Sequence, residues 1–305
     1  MIEYHTPALS DRDWVQARSA EGTSRGSEYG FTTLFLWGKA YDQSLAQVDG
    51  FLSVHAHGPL GCSYLWPSGS GDLSAVLDRL EADAADRGCS FRLIGMTPEA
   101  VEELEHLRPG QFRIDPDRNA WDYLYEIDKL ADLGGRKLHS KRNHCKRFQE
   151  NNPDWVYEDL TPAHIPECLE LSRTWEANSR AREGAQGKES ISLEEGAILT
   201  AAQHFGELAL EGGLIRTQGR VVAWTMGGPL TADTFDVHFE KAYGEIQGAY
   251  AMINREFARR VRERHPEIRY LNREEDMGLE SLRKAKSSYY PDLMAEKYTA
   301  VRKPI

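Results

Sequence analysis

The sequence predicts an α/β protein whose two successive halves each carry a mixed sheet flanked by helices. Three observations carry that expectation. Runs rich in β-branched and aromatic residues alternate with stretches whose apolar residues recur at helical spacing, the pattern of layered α/β domains. The 305 residues suffice for two domains, at about 150 residues each. The order of elements also starts again after Asn152.

A helix is expected over 10–18, with Ser10 as N-cap and Asp13 three residues on. Strands are expected at 45–54 and 61–66, joined by the turn-rich HAHGP at 55–59 as a hairpin connection. In 72–87 the residues Leu73, Val76, Leu77, Leu80 and Ala84 form a helical apolar stripe that Gly88 closes. A strand at 91–94 precedes a helix capped by Thr97 with Pro98 in its first turn. Strands near 112–114 and 121–127 end the first half, expected as a domain over 1–128.

Residues 129–152 read as a basic connecting helix, stopped by Asn151, Asn152 and Pro153. A second domain is expected over 153–305. It opens with a strand at 155–159 and a helix capped by Thr161 with Pro162 at its first position. The capping box of Ser192 and Glu195 should open a helix reaching Phe205. A hairpin over 213–217 and 220–227 turns at Gln218 and Gly219. A strand at 234–240, a long amphipathic helix at 248–265, a strand at 268–271, a helix at 279–288 and a closing strand at 293–299 complete the order.

Composition removes several classes. With 40% hydrophobic and 28% charged residues, the chain is neither collagen, coiled coil nor disordered. The 37 basic against 48 acidic residues give a net charge of -11, which argues against indiscriminate nucleic-acid binding but leaves room for a local basic patch. No apolar run approaches the roughly 20 residues of a membrane span. The first residues lack a charged and an apolar secretory region, so a cytoplasmic location is expected. Cys62, Cys89, Cys145 and Cys168 show no CxxC spacing and are expected as reduced thiols. His55 and His57, with no third ligand nearby in sequence, read as a surface turn rather than a zinc site. The chain has no GxGxxG after a strand, no GxxxxGK[ST], no HExxH and no GxSxG, which sets aside Rossmann dehydrogenases, P-loop NTPases, zincins and α/β-hydrolases.

Four groups of residues suit chemistry. On the strand DVHFE at 236–240, alternation puts Asp236, His238 and Glu240 on one face and Val237 and Phe239 on the other. A histidine between carboxylates suits removal of a proton from an amine or hydroxyl; the alternative is a solvated strand face. Asn272, Arg273, Glu274, Glu275 and Asp276 follow a strand, where α/β ligands bind, and the acids suit an ammonium group or a metal. The alternative there is an acidic helix start favoured by the dipole. Arg283, Lys284 and Lys286 could clamp phosphate or carboxylate, with Tyr289 stacking or donating. Arg136, Lys137, Lys141, Arg142, Lys146 and Arg147 fall within twelve residues containing no acid. Lys137, Lys141 and His144 share one helix face, with Arg142 and Lys146 beside it. That patch suits RNA phosphates, an anionic headgroup or a coenzyme pyrophosphate; the alternative is a solubilising linker helix.

The element order from 213 onward resembles an acyltransferase of the GNAT type. More narrowly, the chain resembles the family of the phosphatidylglycerol lysyltransferase C-terminal domain. The matching stretches are KLHSKRNH at 137–144, AWTM at 223–226, QGAY at 247–250 with Ile253 and Asn254, YLNREEDMG at 270–278 and LRKAKSSYYP at 282–291. The resemblance implies two GNAT-like domains in tandem. It also implies an aspartate on the strand before the long helix, matched by Asp236, and a lysine ahead of aromatic-x-Pro, matched by Lys286 before Tyr289. Such enzymes move an aminoacyl group from charged tRNA to a lipid hydroxyl. This chain differs in having no membrane-embedded segment and Phe239 where the family carries arginine.

The stretch KAYGEIQGA at 241–249 stands where acetyl-CoA enzymes hold pyrophosphate, but its glycines are misspaced and Glu245 would repel the anion. Aminoacyl-tRNA is therefore expected as co-substrate ahead of acyl-CoA. Asp236, His238 and Lys286 are the expected catalytic residues. Trp224, Glu240, Asn272, Arg273, Glu274, Glu275, Asp276, Arg283 and Tyr289 are expected to bind substrate. Lys137, His139, Lys141, Arg142 and Lys146 are expected to meet tRNA or phosphate, and no metal is expected. The expected acceptor is a small molecule or a lipid headgroup reached at the inner membrane surface. Alternatives are a CoA-dependent N-acyltransferase on a small amine and a non-catalytic binding module.

Overall fold

A computed structural model describes residues 1–58, 61–180 and 185–304. The first elements are α1 (Arg12–Ser19), α2 (Phe31–Trp37), β1 (Gln43–Val48), β2 (Phe51–Gly58), β3 (Gly61–Leu65), β4 (Ser68–Gly69), α3 (Leu73–Asp86), β5 (Arg92–Met96), α4 (Pro98–Leu107) and β6 (Phe112–Pro116). Next come β7 (Asp122–Glu126), α5 (Ile127–Asp132), α6 (His139–Asn151), β8 (Val156–Asp159), α7 (Ile165–Arg180) and α8 (Ala185–Gln203). The last are β9 (Glu211–Thr217), β10 (Arg220–Pro229), β11 (Thr234–Ala242), α9 (Ala249–Arg264), β12 (Tyr270–Asn272), α10 (Glu280–Ser287), β13 (Leu293–Ala295) and β14 (Tyr298–Arg302).

Local chemistry explains where the elements start and stop. Asp72 and Thr97 cap α3 and α4 through their side chains, accepting from Ala75 and Ala100 N–H groups at 3.1 and 3.3 Å. Ser10 does not cap α1. The helix starts later because Asp11 holds the turn before it, accepting from the Ala8 N–H at 2.8 Å and the Trp14 indole at 3.0 Å. The run expected as one strand over 45–54 is a hairpin, since Asp49 and Gly50 have φ of 47° and 91°, as a type I′ turn requires. Consequently HAH lies on strand β2, not in a turn. Gln218 and Gly219, with φ of 50° and 72°, make the expected second hairpin turn. Ser192 lies inside α8 rather than at its start, and its side chain is outside the described residues.

The chain divides into two units, Met1–Asp122 with Glu275–Arg283 and Met294–Ile305, and Tyr123–Glu274 with Lys284–Leu293. In the first, the sheet runs β1-β2-β3-β5-β14-β6, with β4 beside β2. Leu77, Leu80 and Ala84 of α3 pack in its core with Tyr64, Phe91, Leu93 and Phe112. In the second, the order is β13-β7-β12-β11-β10-β9-β8. Each sheet thus draws on the far half of the sequence. The last strand, expected to close the second domain, pairs with β5 and β6 of the first unit. Strand β7, expected to end the first domain, pairs with β12 of the second. Cys62 and Cys89 are not free thiols: the fold brings these residues, 27 apart in sequence, to a Cα separation of 5.8 Å and they form a disulfide. Cys145 and Cys168 are free and buried.

Strand β11 positions the site. Helices α7 and α9 both pack against β10 and β11, and residues 234–239 are all buried, so the polar face of this strand is not a solvated one. Between the pairs Met226↔Phe239 and Gly227↔Val237 the register shifts by one, leaving His238 as the extra residue of a β-bulge. Such bulges re-aim a side chain. Gly227 is required here, because a Cβ on it would lie 1.9 Å from the Asp236 carbonyl oxygen.

Candidate active site

The bulge turns His238 toward two carboxylates. Its Nδ1 lies 3.2 Å from Glu274 Oε1 and 3.5 Å from Asp236 Oδ2. Among the described residues, its Nε2 has no hydrogen-bond partner. Asp236, His238 and Glu274 offer ligand atoms within 4.8 Å of one another, a donor set that also suits a divalent cation.

Glu274 reaches His238 because of the turn after β12. Asn272, paired with Asp236 across parallel strands, accepts the Glu274 N–H on Oδ1 at 2.7 Å, and Glu274 takes a φ of 55°. Lys286 then ties the turn down, donating from Nζ to the carbonyls of Arg273 and Glu274 at 2.5 and 3.1 Å. The buried ammonium is thus held against two backbone carbonyls of the turn.

A second cluster surrounds Glu240. Arg273 Nη2 donates to Glu240 Oε1 at 2.8 Å and Asn254 Nδ2 donates to Oε2 at 3.3 Å. The guanidinium lies 5.2 Å from the ring centre of Tyr289 and 5.9 Å from that of Tyr125. Burial alone would lower its pKa, but Glu240 together with Tyr125, Tyr289 and Tyr250 around it raises it above the ordinary value. Its Nη1 is buried without an acceptor among the described residues. Buried donors are nearly always satisfied, so this N–H suits a substrate oxygen. Sequence reasoning missed Asn254 as a partner of Glu240; a polar residue among the apolar positions of α9 was the signal available.

The basic segment separates by role. Lys141 donates to Ser288 Oγ at 2.7 Å and its ammonium lies 4.0 Å from the Tyr289 ring centre. Burial, and then the nearby Arg273 charge, push its pKa down to about 8. Arg142 bonds the carbonyls of Leu133 and Gly135, which fixes the loop before α6. Lys137, His139 and Lys146 are exposed, as a surface that meets phosphates needs to be. Between pH about 8 and the ordinary 10.5 of a lysine, the unfolded chain keeps a proton that folded Lys141 has released, so stability rises with pH there. Lys141→Met is expected to flatten that rise, measured as urea midpoints at about pH 8 and about pH 9.5.

Other expected site residues stand elsewhere. Trp224 is fully buried 6.4 Å from the Phe239 ring, a core position. Asp276 and Arg283 belong to the first unit. There Asp276 accepts from Arg283 Nε and Nη2, both at 2.9 Å, and from Arg118 at 3.3 Å. Glu275 is in the same unit and adds to the negative field around Lys297.

Comparison with known proteins identifies the family. Residues 20–301 match the family described as phosphatidylglycerol lysyltransferase, C-terminal. Among solved structures, a conserved protein of unknown function from Bacteroides thetaiotaomicron is 39% identical over 99% of this chain and 100% of its own, with a TM-score of 0.91. The C-terminal domain of a putative lysylphosphatidylglycerol synthetase from Agrobacterium fabrum is 12% identical over 97% of this chain and 93% of its own, with a TM-score of 0.65. L-PGS from Bacillus licheniformis is 14% identical over 99% of this chain and 94% of its own, also at 0.65. These last two show the fold alone. No curated protein matches the chain. With its two mixed α/β sheets, the chain belongs to the phosphatidylglycerol lysyltransferase C-terminal family and is a transferase.

Proposed function

We propose that the protein transfers an aminoacyl group from charged tRNA to the hydroxyl or amine of a lipid headgroup or small polar acceptor. The observation that carries this reading is His238, fixed through Nδ1 by Glu274 and Asp236 with Nε2 left for a substrate proton. An acceptor oxygen or nitrogen attacks the ester carbonyl carbon while Nε2 takes its proton. The two carboxylates stabilise the imidazolium that results. The ribose hydroxyl then leaves with that proton, and the ester bond to tRNA is exchanged for one to the acceptor. Arg273 Nη1 is available to the carbonyl oxygen as negative charge develops on it.

The choice of donor rests on two features. Exposed Lys137, His139 and Lys146 suit a phosphate backbone, and Glu245 stands three residues before Gly248, the N-cap of α9, where a coenzyme pyrophosphate would bind. The relatives named for lysyl-phosphatidylglycerol synthesis make an anionic lipid the first acceptor to try. No described helix is long and apolar enough to cross a membrane.

The test is transfer of radiolabel from a mixture of aminoacyl-tRNAs into vesicles containing phosphatidylglycerol, with acetyl-CoA as a parallel donor. Label is expected in the lipid fraction, at a rate that falls steeply with salt and survives a chelator. Transfer from acetyl-CoA alone would overturn the donor assignment. Loss of transfer on chelation, restored by a divalent ion, would make the Asp236, His238 and Glu274 group a metal site instead of a proton relay.

A further inference from the structure

We propose that Cys62 and Cys89, once reduced, form with His57 a thiolate–imidazole site for a zinc-type divalent ion in the first unit. This site is independent of the transfer chemistry. The antiparallel register of β2 and β3 sets His57 directly opposite Cys62 and His55 opposite Tyr64, so both imidazoles and the thiol share one face. Cys89 arrives from the other side of the sequence. After the last residue of α3 and its C-cap Arg87, Gly88 takes a φ of 69°, and the Cys89 N–H closes back on the Ala84 carbonyl at 2.9 Å. That is a Schellman arrangement, and it delivers Cys89 to Cys62. His57 Nδ1 is 3.9 Å from Cys62 Sγ, and the ligand atoms of His57, Cys62 and Cys89 all lie within 4.8 Å of one another.

The three groups line a pocket of 610 Å³ together with His55 and Asp42. His55 is buried and its Nε2 has no hydrogen-bond partner among the described residues. Arg87 does not leave the pocket cationic, because Asp83 neutralises it at 2.7 Å. Two thiolates and an imidazole select a soft or borderline ion over calcium or magnesium, and three protein ligands leave a fourth position open to water.

The disulfide must open first. A phosphine attacks one sulfur, and hydrolysis by water gives two thiols and the phosphine oxide. The ion then replaces two thiol protons and takes the His57 lone pair. Metal uptake is therefore gated by the redox state of this pair.

The experiment uses the whole protein, reduced with a phosphine, desalted without oxygen and titrated with Co²⁺ as the probe. The reduced chain is expected to bind one ion with a thiolate-to-cobalt charge-transfer band that Zn²⁺ abolishes, and the oxidised chain none. Cys62→Ser and Cys89→Ser should each lose the band. His57→Ala, an exposed position whose loss leaves the fold intact, should keep a weaker band with affinity reduced at least about tenfold. Cys145→Ser with Cys168→Ser should bind as the parent does. Reduced protein without the band, equal uptake by the oxidised chain, or retention of the band in Cys62→Ser would each overturn the proposal.

Discussion

Replacing His238 by Gln is expected to lower the rate of aminoacyl transfer by about 10²–10⁴, the usual contribution of a positioned general base. In free energy that is roughly 3–5 kcal/mol of transition-state stabilisation. Gln approximates the size of the ring and can still donate to Glu274 and Asp236, but it has no basic nitrogen for the acceptor proton. The loss should therefore appear in kcat with KM little changed, because a proton taken only in the transition state contributes nothing to ground-state binding. Exogenous imidazole should restore part of the rate. Glu274→Gln is expected to reduce turnover less, since Asp236 still faces Nδ1 at 3.5 Å. Because His238 is buried, each variant needs a thermal unfolding curve beside its kinetics. A His238→Gln protein that melts like the parent and turns over normally would remove His238 from the chemistry.

Much of this site was legible in the sequence because it lies on one strand. Alternation along 236–240 was enough to group Asp236 with His238, and the motif after β12 drew attention to Glu274. What alternation could not show is that His238 sits in a bulge, since that depends on Gly227 and on pairing with β10. Nor could it separate the acids at 274–276. Glu274 turns toward His238, 36 residues away in sequence, while Asp276 is held by Arg118 and Arg283 in the first unit. The same limit governed the fold. Locally coded features, such as the Thr97 cap and the Gln218–Gly219 turn, were readable, whereas the sheet membership of β7 and β14 rests on long-range pairing. The Asp49–Gly50 turn was written in the sequence but masked by apolar residues on both sides. Cys62 and Cys89 carried no spacing signal, because a helix and a strand separate them.

The largest stability effect is expected at Lys297, a residue outside every motif. Its ammonium is buried between Asp122 Oδ1 at 2.7 Å and Glu28 Oε2 at 2.6 Å. Asp122 also accepts the Ser27 N–H at 2.7 Å, while the Lys297 carbonyl accepts from the Asp117 N–H at 2.8 Å and the Trp121 indole at 3.0 Å. Lys297 thus ties the start of β14 to Asp122, 175 residues earlier in the chain, and to Glu28, and β14 holds β5 and β6 in one sheet. Burial alone would lower its pKa, but the two carboxylates raise it well above the ordinary 10.5. A lysine pKa raised by folding adds stability below the unfolded value and loses it only above the folded one, so the contribution is complete at neutral pH. Lys297→Met leaves buried Asp122 and partly buried Glu28 facing each other without a cation, a loss expected to cost about 3–5 kcal/mol. For a unit of this size that lowers the melting temperature by roughly 6–20 °C. Adding Glu28→Gln should recover part of the loss, because the penalty lies in the uncompensated charge and not in the missing methylenes. If Lys297→Met melts within a degree or two of the parent, the buried ion group does not hold the C-terminal strand, and packing of Ala300 and its neighbours does.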